Sequence, residues 1–328
     1  MTSMRKKLRV LKRTLKTVEL RRFRRFGVRL EWSRILWTLA LGTGAASAKS
    51  LGRKYHSLVK NWLEREYADV IERWHDPSGR PDPSPKAQLD SRPKIWTLWY
   101  QGLDTAPEII RQCVDSLRRG ACGAELIVLD KDNMEDYVDI DPVLKRKVEA
   151  GTYSLTKLSN YVRLSLMYNY GGLWLDSTIW LNRNVDSFAD QVFGRPFYSV
   201  RFSDAPDESE AALGLWATYA LGFCQKSPIA GFSRDFQLAY FQREDVLIDY
   251  FLFDYSLAIG YETFPWFREI VDTLPVNNPN MYRLSEALER GDREGVRRAV
   301  EDESQWFYKT TYKTAWKLYP QDVVSIKT

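Results

Sequence analysis

The chain is poor in the side chains that most often carry nucleophilic or metal chemistry. Its 328 residues include only two histidines and three cysteines. His56 and His75 both precede the main predicted domain, which disfavours a histidine dyad or zinc site within it. Cys113, Cys122 and Cys224 lack metal-binding spacing, and their odd number argues against a disulfide framework. Chemistry is therefore left to carboxylates, amides, hydroxyls and arginine, and the cysteines fit a reducing cytoplasm.

The uncharged segment that follows the basic amino end is too short to span a membrane. Residues 35–48 (ILWTLALGTGAASA) are uncharged, but a membrane span needs about 20 apolar residues. Basic residues before this stretch and small residues after it resemble a secretory signal, although Gly42 and Gly44 interrupt the apolar core. We predict a buried or interfacial segment, with cleavage as the alternative.

The positive charge is concentrated at the amino end. The net charge is +5, yet residues 1–34 hold thirteen Lys or Arg and two Glu, a net of +11, which leaves −6 for the rest. Leu8, Leu11, Leu15 and Val18 recur at helical intervals there, predicting a cationic amphipathic helix. We expect it to bind an anionic membrane surface, where each nearby Lys or Arg contributes about 1 kcal/mol. Nucleic acid is a less favoured partner, and a solvated tail is the third alternative.

Strand and helix patterns alternate after a linker. Residues 76–91 are dense in proline and serine, as linkers are, and residues 55–74 before them predict one amphipathic helix. The alternation that follows predicts an α/β sheet with ligands at the carboxyl ends of its strands. Predicted strands cover 94–100, 125–130, 197–201 and 217–223, and predicted helices cover 107–119, 132–150, 237–259 and 264–274. The predicted organisation is an arm at 1–34, a helical segment at 35–75, the linker at 76–91 and one domain at 92–328.

The stretch from Leu158 to Leu181 (LSNYVRLSLMYNYGGLWLDSTIWL) combines two polar clusters. Asn160 and Arg163 follow helical spacing on an otherwise apolar helix. A glycine pair then leads into a tryptophan-rich strand, on which Asp176 and Thr178 would share a face. The two clusters converge across the glycine turn, as a site for a charged, sugar-bearing ligand requires.

Six motifs occur together in an order that resembles a known family. They are KIWTLWYQG, IVLDKDN, LSNYVRL, YGGLWLDST, LIDYFLFDY and PVNNPN, within a run from Lys94 to about Lys313. This run resembles the bacterial capsular polysaccharide synthesis glycosyltransferases. It is also similar to the wider DXD-containing sugar transferases, including yeast initiating mannosyltransferases and clostridial glucosylating toxins. The resemblance implies a GT-A fold, a Rossmann-like α/β domain that binds a nucleotide-activated sugar.

The resemblance also implies the donor-binding residues. The end of the first strand would hold the nucleoside, with Asp130 close by. In the family pattern SD-x-x-R this chain has Asn160 in place of the acid; an amide still hydrogen-bonds sugar hydroxyls but carries no charge. The implied donor-binding residues are Trp99, Tyr100, Gln101, Gly102, Asp130, Asn160, Arg163, Gly172, Thr178 and Lys313.

A divalent cation is implied at the position of the DXD motif, which reads Asp176-Ser177-Thr178 here. Two carboxylates would hold such an ion against the diphosphate. One carboxylate and a hydroxyl form a weaker site, so Mn²⁺ or Mg²⁺ would be held mostly by diphosphate oxygens and water, with Asn277, Asn278 or Asp254 as a later ligand. The implied metal ligands are Asp176, Thr178 and Asn278.

Two further segments contribute candidates. Asp254 lies in the apolar run LIDYFLFDYSLAIG, and a buried acid there needs either a functional site or a salt bridge. Lys309 and Lys313 lie near the carboxyl end, where related transferases place a basic tail over the diphosphate; a surface role is the alternative for Lys313. The predicted catalytic residues are Asp176, Arg163 and Asp254, the last binding the acceptor or an ion.

We therefore predict a hexosyltransferase that is peripheral at the cytoplasmic face of the cell membrane. It would move a sugar from a nucleotide-sugar donor to a lipid-linked acceptor of a surface or capsular polysaccharide. Related enzymes retain the anomeric configuration, which implies front-side displacement by positioning and electrostatic stabilisation. The alternative is a non-catalytic protein that binds nucleotide sugars or glycans on the same fold.

Overall fold

A computed structural model describes residues 19–75 and 92–323, and a five-stranded mixed sheet lies at its centre. The strands are β1 (Lys94–Leu98), β2 (Glu125–Leu129), β3 (Gly172–Leu175), β4 (Ile179–Leu181), β5 (Phe197–Ser199), β6 (Ala220–Phe223) and β7 (Phe307–Lys309). In the strand order β2-β1-β3-β6-β5, the first three strands are parallel and β6 runs antiparallel to both of its neighbours. A second, small sheet pairs β4 with β7. The predicted α/β class is confirmed.

Helices form most of the remaining regular structure. They are α1 (Leu20–Phe26), α2 (Val28–Thr43), α3 (Ala48–Glu66), α4 (Ala68–Glu72), α5 (Glu108–Gly120), α6 (Pro142–Glu149), α7 (Leu155–Tyr170), α8 (Ala189–Phe193), α9 (Pro228–Arg243), α10 (Leu252–Thr263), α11 (Pro265–Asp272), α12 (Arg283–Arg290) and α13 (Arg293–Glu301). Proline opens α6, α9 and α11, where its missing N–H has no helical partner to lose. Helix α7 packs on α9 and on the following strand β3, so its polar face is held beside the sheet.

The amino-terminal helices pack onto the rest of the molecule. Tyr55 on α3 donates a hydrogen bond of 2.6 Å to Asp249, and Nδ1 of His56 lies 2.6 Å from the Tyr255 hydroxyl. Residues of α1, α3 and α4 belong to the same apolar core as the sheet. These helices therefore help to form the surface around any site on that side of the sheet.

Several predicted segments fall outside the described ranges or fit them only in part. The arm helix predicted around Leu8 to Val18 and the linker at 76–91 lie outside the described residues. Residues 35–43 lie in α2, which ends where Gly44 adopts a left-handed conformation. Ile35 and Ala40 are buried, whereas Leu36 and Leu41 are exposed, so the helix is buried on one face only. Within 19–75 and 92–323, no helix is both long and apolar enough to cross a membrane.

Two helices predicted as continuous are broken. The helix predicted at 55–74 breaks at Tyr67, whose ring is buried against Phe236 and Tyr240. The helix predicted at 237–259 is in fact α9 and α10 with a loop between them. In that loop the Tyr240 hydroxyl accepts from the Ile248 amide at 2.6 Å, and Asp249 accepts from the Phe251 amide at 2.7 Å. Such side-chain bonds replace helical ones.

The strand predicted through Asp176 is also broken. Strand β3 ends at Leu175, and Asp176 to Thr178 form a turn in which the Ile179 amide donates to the Asp176 carbonyl at 2.8 Å. Strand β4 then pairs with β7 instead of extending the main sheet. The expectation of one strand with Asp176 and Thr178 on a common face was therefore wrong. The turn places both side chains at the junction of the two sheets.

Candidate functional site

A cavity of about 590 Å³ opens beside the carboxyl end of β3. Predicted residues from three separate segments contribute to it: Asn160 and Arg163 from α7, Asp176 from the turn and Asp254 from α10. The amino-terminal helices complete the wall with Trp37, Leu41, Ala48, Lys49 and His56. The structure thus brings Asn160, Arg163 and Asp176, from the two sides of the glycine turn, into one space, whereas Thr178 does not line the cavity.

Asp176 is the centre of a network of charged hydrogen bonds at the edge of the cavity. Its Oδ1 accepts from Arg163 Nη2 at 3.0 Å and from the Trp174 indole at 2.9 Å. Arg163 also donates to the Thr218 carbonyl, and its guanidinium carbon lies 4.7 Å from the centre of the Trp174 ring. Burial works against ionisation, but Lys309 and Arg163 hold the pKa of the Asp176 carboxyl below its usual value. Asp176 is therefore a carboxylate at neutral pH.

Arg163 has one N–H group without a hydrogen-bond partner. Its side chain is only 7% exposed, and its Nε has no hydrogen-bond partner within the described structure. A buried N–H without a partner costs free energy unless a ligand or water accepts from it. Arg163 lines the cavity, but its Nε is covered from solvent, so the donor-binding role of Arg163 stays a prediction.

Lys309, and not Lys313, reaches the Asp176 turn. The Lys309 ammonium lies 2.9 Å from Asp176 Oδ2 and 2.6 Å from Thr178 Oγ1. Strand β7 places it there by pairing with β4, with Lys309 opposite Ile179. Sequence reasoning named Lys309 only as part of a basic tail. Strand β7 has only three residues, too few to show the alternation of a strand. The contact between Lys309 and Asp176 also spans more than 130 positions along the chain.

Asp254 lies on a different wall of the cavity from Asp176, and its hydrogen-bond donor and the direction of its pKa shift are also different. Its Oδ1 accepts from the Trp216 indole at 3.2 Å, and burial raises the pKa of its carboxyl to about 6. Burial also lowers the pKa of Lys157, another lining residue, to about 8. An acid whose pKa lies close to neutral can accept a proton from, or bind, an acceptor hydroxyl. This environment fits the predicted catalytic or acceptor-binding role of Asp254, which stays a prediction.

His56 is a lining residue that sequence reasoning set aside. It precedes the main domain in sequence, but α3 folds back and buries it in the cavity wall. Burial lowers the pKa of its imidazole. Only the packing of α3 against α10 brings it there, so its position in the sequence gave no signal.

The predicted nucleoside-binding residues lie together, next to the Asp176 turn rather than in the cavity. Trp99, Tyr100, Gln101 and Gly102 follow β1, and Asp130 follows the adjacent parallel strand β2. The Tyr100 carbonyl accepts from the Lys131 amide at 3.0 Å, which ties the two loops together.

The carboxyl-terminal segment connects this aromatic loop to Asp176. The ring of Tyr312 packs edge-on against Trp99 at 5.2 Å, three residues after Lys309 binds the turn. The Lys313 ammonium is 5.8 Å from the centre of the Tyr312 ring. One segment therefore joins the aromatic end of β1 to the charged end of β3.

Two other predicted residues have structural contacts of their own. Asn278 is buried with a positive φ of 51°, and its Oδ1 accepts from the Trp306 amide at 3.0 Å. Gly172 has a φ of 102° and lies against the Lys94 carbonyl of β1. Both contacts position strands and loops. Metal binding by Asn278 and donor binding by Gly172 stay predictions.

The Asp176 turn as arranged does not fit a divalent cation. Each carboxylate oxygen of Asp176 already accepts a charged hydrogen bond, and Thr178 Oγ1 accepts from Lys309. A cation needs these same oxygens, and the Lys309 ammonium repels it. Residues 19–75 and 92–323 also contain no cluster of three or more His, Cys, Asp or Glu that could hold a metal.

The fold defines an α/β protein, and the charged cluster lies at the carboxyl ends of its strands, a position at which such sheets bind ligands. The chain belongs to the capsular polysaccharide synthesis protein family, which it matches over residues 44–324. The predicted resemblance is thereby confirmed. It is also similar to the O-glycosyltransferase PaGT of Phomopsis amygdali, with 27% identity over 124 residues. That match covers 35% of this chain and 30% of the relative, so the chain spans less than a third of the curated protein's length.

Proposed function

We propose that the protein is a glycosyltransferase that moves a sugar, a hexose in our expectation, from a nucleotide-sugar donor to a surface polysaccharide acceptor. The observation that carries the proposal is the Arg163–Asp176–Lys309 cluster, which lies between an aromatic loop and the cavity. Family membership and the similarity to a glycosyltransferase support it. The parallel strands β2, β1 and β3 and the placement of the site are consistent with a GT-A fold.

The site has three parts, which suit the nucleoside, the diphosphate and the sugar hydroxyls in turn. The loop after β1, where Trp99 and Tyr312 meet, suits a nucleoside because aromatic rings stack on bases. The cluster around Asp176 carries two cations and one carboxylate, a net positive charge that suits a diphosphate. The cavity with Asn160 and Asp254 offers hydrogen-bonding groups to sugar hydroxyls.

Transfer at this site is a substitution at the anomeric carbon. The bond between that carbon and the diphosphate oxygen breaks, and its electron pair stays on the oxygen. The acceptor oxygen bonds to the same carbon, and its proton passes to the departing diphosphate or to Asp254. Arg163 and Lys309 stabilise the negative charge that develops on the diphosphate. We propose retention of configuration through attack from the face of the leaving group.

A panel of nucleotide sugars tests the proposal. We expect one donor to raise the melting temperature of the protein, because ligand binding to the folded state stabilises it by mass action. The same donor should be turned over, slowly by hydrolysis and faster with an acceptor. The matching nucleoside without its diphosphate is the control and should give a smaller shift. Stabilisation without turnover in the presence and absence of Mn²⁺ would instead favour the non-catalytic binding protein.

We further propose that the protein works at a membrane surface, with a lipid-linked acceptor. Val28, Trp32 and Leu36 recur every four residues along α2 and are 61%, 53% and 51% exposed. Arginines at 24 and 29 are exposed on either side of the start of α2. An apolar stripe flanked by arginines suits an anionic lipid surface.

The opening of the cavity supports the same orientation. Four of its lining residues are large, apolar or aromatic, and exposed: Leu41, Phe202, Tyr250 and Phe251. Leu41 belongs to the helix that carries the apolar stripe. If α2 lies on the lipid surface, the opening lies close to it, and a lipid-linked sugar reaches the cavity without leaving the bilayer.

Vesicle binding tests this orientation through a double substitution, Trp32→Glu with Leu36→Glu. Burying each side chain in lipid is worth about 1.5–3 kcal/mol, so we expect sedimentation with anionic vesicles to fall at least about tenfold. The control is Val276→Glu, which adds one of the two negative charges at a residue that is 39% exposed and outside the amino-terminal helices. Equal vesicle binding by the wild type and the double variant would contradict the proposal. Salt-sensitive binding to DNA or RNA in place of vesicles would favour nucleic acid.

A further inference from the structure

The Lys309 side chain is held by the structure at the place where a metal-dependent transferase holds its cation. Its ammonium contacts Asp176 Oδ2 and Thr178 Oγ1, the two groups that the D-x-T motif would offer to a metal. It also lies 4.8 Å from the centre of the Tyr219 ring. The side chain is 20% exposed, so one side still faces solvent.

The backbone fixes this position. The Lys309 amide donates to the Met281 carbonyl at 2.9 Å, and the amide of the next residue, Thr310, donates to the Thr178 carbonyl at 2.8 Å. The Thr310 hydroxyl donates to that same carbonyl at 2.8 Å. Lys309 is therefore part of the framework of the turn, and its ammonium is not the end of a free surface side chain.

We propose that the Lys309 ammonium, instead of a divalent cation, neutralises the leaving diphosphate, so that transfer needs no metal. An ammonium has three donors. Two are used by Asp176 and Thr178, which leaves the third for a diphosphate oxygen. Arg163 supplies a second positive charge on the other side of Asp176. With the one negative charge of Asp176 they give the site a net positive charge, as a divalent cation beside a single carboxylate would.

This inference rests on the proposed function, because it assigns the group that stabilises the leaving diphosphate. When the anomeric carbon–oxygen bond breaks, its electron pair stays on a diphosphate oxygen. A fixed positive charge next to that oxygen lowers the barrier most when it needs no rearrangement. Asp176 then acts by holding Lys309 and Arg163 in place. Asn160 in place of the acid of SD-x-x-R and Thr178 in place of the second acid of DXD are consistent with a site that does not gather carboxylates around a metal.

Turnover of the donor with and without chelator is the first test. We expect wild-type activity to stay within about twofold after EDTA treatment, and Lys309→Met to lower turnover by about 10²–10³-fold at every Mn²⁺ concentration. Methionine keeps an unbranched stem and removes the ammonium, with both its charge and its three donors. Lys317→Met is the control, since Lys317 is an exposed lysine in the same terminal segment. Loss of wild-type activity in EDTA with recovery in Mn²⁺ would overturn the proposal, as would full activity of Lys309→Met.

Manganese binding gives a second measurement that does not depend on activity. With the nucleoside diphosphate of the donor present, we expect equimolar wild-type protein and Asp176→Asn to leave the same electron paramagnetic resonance signal of free Mn²⁺. A fall in that signal that disappears in Asp176→Asn would overturn the proposal even if Lys309→Met does not fold. A lack of turnover of every donor, with or without metal, would count against the proposed function, and the manganese titration would still decide whether Asp176 binds an ion.

Discussion

Asp176→Asn is expected to lower turnover of the nucleotide-sugar donor by about 10²–10³-fold. The amide can still accept from the Trp174 indole, but it cannot hold the Arg163 and Lys309 cations with a negative charge. Both cations would then shift away from the position that the diphosphate requires. The measurement is kcat and KM for the donor, and the loss should fall mainly on kcat because positioning matters most in the transition state.

The same substitution should also weaken folding. Arg163 is buried and would lose its ionic partner, which costs roughly 1–3 kcal/mol since Asp176 remains 29% exposed. The pKa of Asp176 is lowered in the folded state. Its ion pairs therefore stabilise the protein at any pH above the ordinary aspartate pKa, and this contribution is lost as the pH falls through the lowered value. The difference from wild type should be constant between about pH 5 and 8 and shrink below about pH 4.

A matched change elsewhere separates the site from general charge effects. Asp245→Asn removes a carboxylate that pairs with Lys147 at 2.9 Å and is 80% exposed. Exposed pairs contribute less than about 1 kcal/mol, so both turnover and unfolding should stay close to wild type. Asp176→Asn with activity within threefold of wild type would show that the cluster is not the diphosphate site.

The site could be predicted from sequence where it depends on local periodicity. Asn160 and Arg163 were found because helical spacing places them on one face of α7, and that face lines the cavity. Trp99 and Asp130 were implied by the family resemblance, and they lie together because they follow the adjacent parallel strands β1 and β2. In each case one element, or two adjacent parallel strands, determines the position.

The rest of the site depends on contacts between distant segments. His56 enters the cavity wall only because α3 packs on α10, and Lys309 reaches Asp176 only because β7 pairs with β4. The break after Leu175 has the same origin, since β4 leaves the main sheet to form that pair. Neither helical nor strand periodicity carries information about which distant segment will be the partner.

Gly172→Ala is expected to have the largest effect on folding, although the residue was predicted from a donor-binding motif. Its φ of 102° is unfavourable for any residue with a Cβ, and a Cβ there would overlap the Lys94 carbonyl oxygen of β1. The neighbouring Trp96 indole, 3.2 Å from that Cβ position, is fixed by a hydrogen bond to the Gly171 carbonyl. Backbone strain of about 1–3 kcal/mol adds to the steric cost, so we expect a loss of at least about 3 kcal/mol in urea unfolding.

Gly151→Ala is the matched control for this change. Its φ is 72°, and a Cβ there would meet no atom within 4 Å, so it bears only the backbone strain. If both substitutions lower the free energy of unfolding by the same amount, the contact of β3 with β1 is not the reason that residue 172 must be glycine. If Gly172→Ala lowers the free energy of unfolding more than Gly151→Ala does, and the protein that still folds binds the donor less well, the contact has a functional consequence as well. Strand β1 leads to Trp99 and strand β3 leads to Asp176, so a wider spacing between the strands separates the nucleoside loop from the charged cluster.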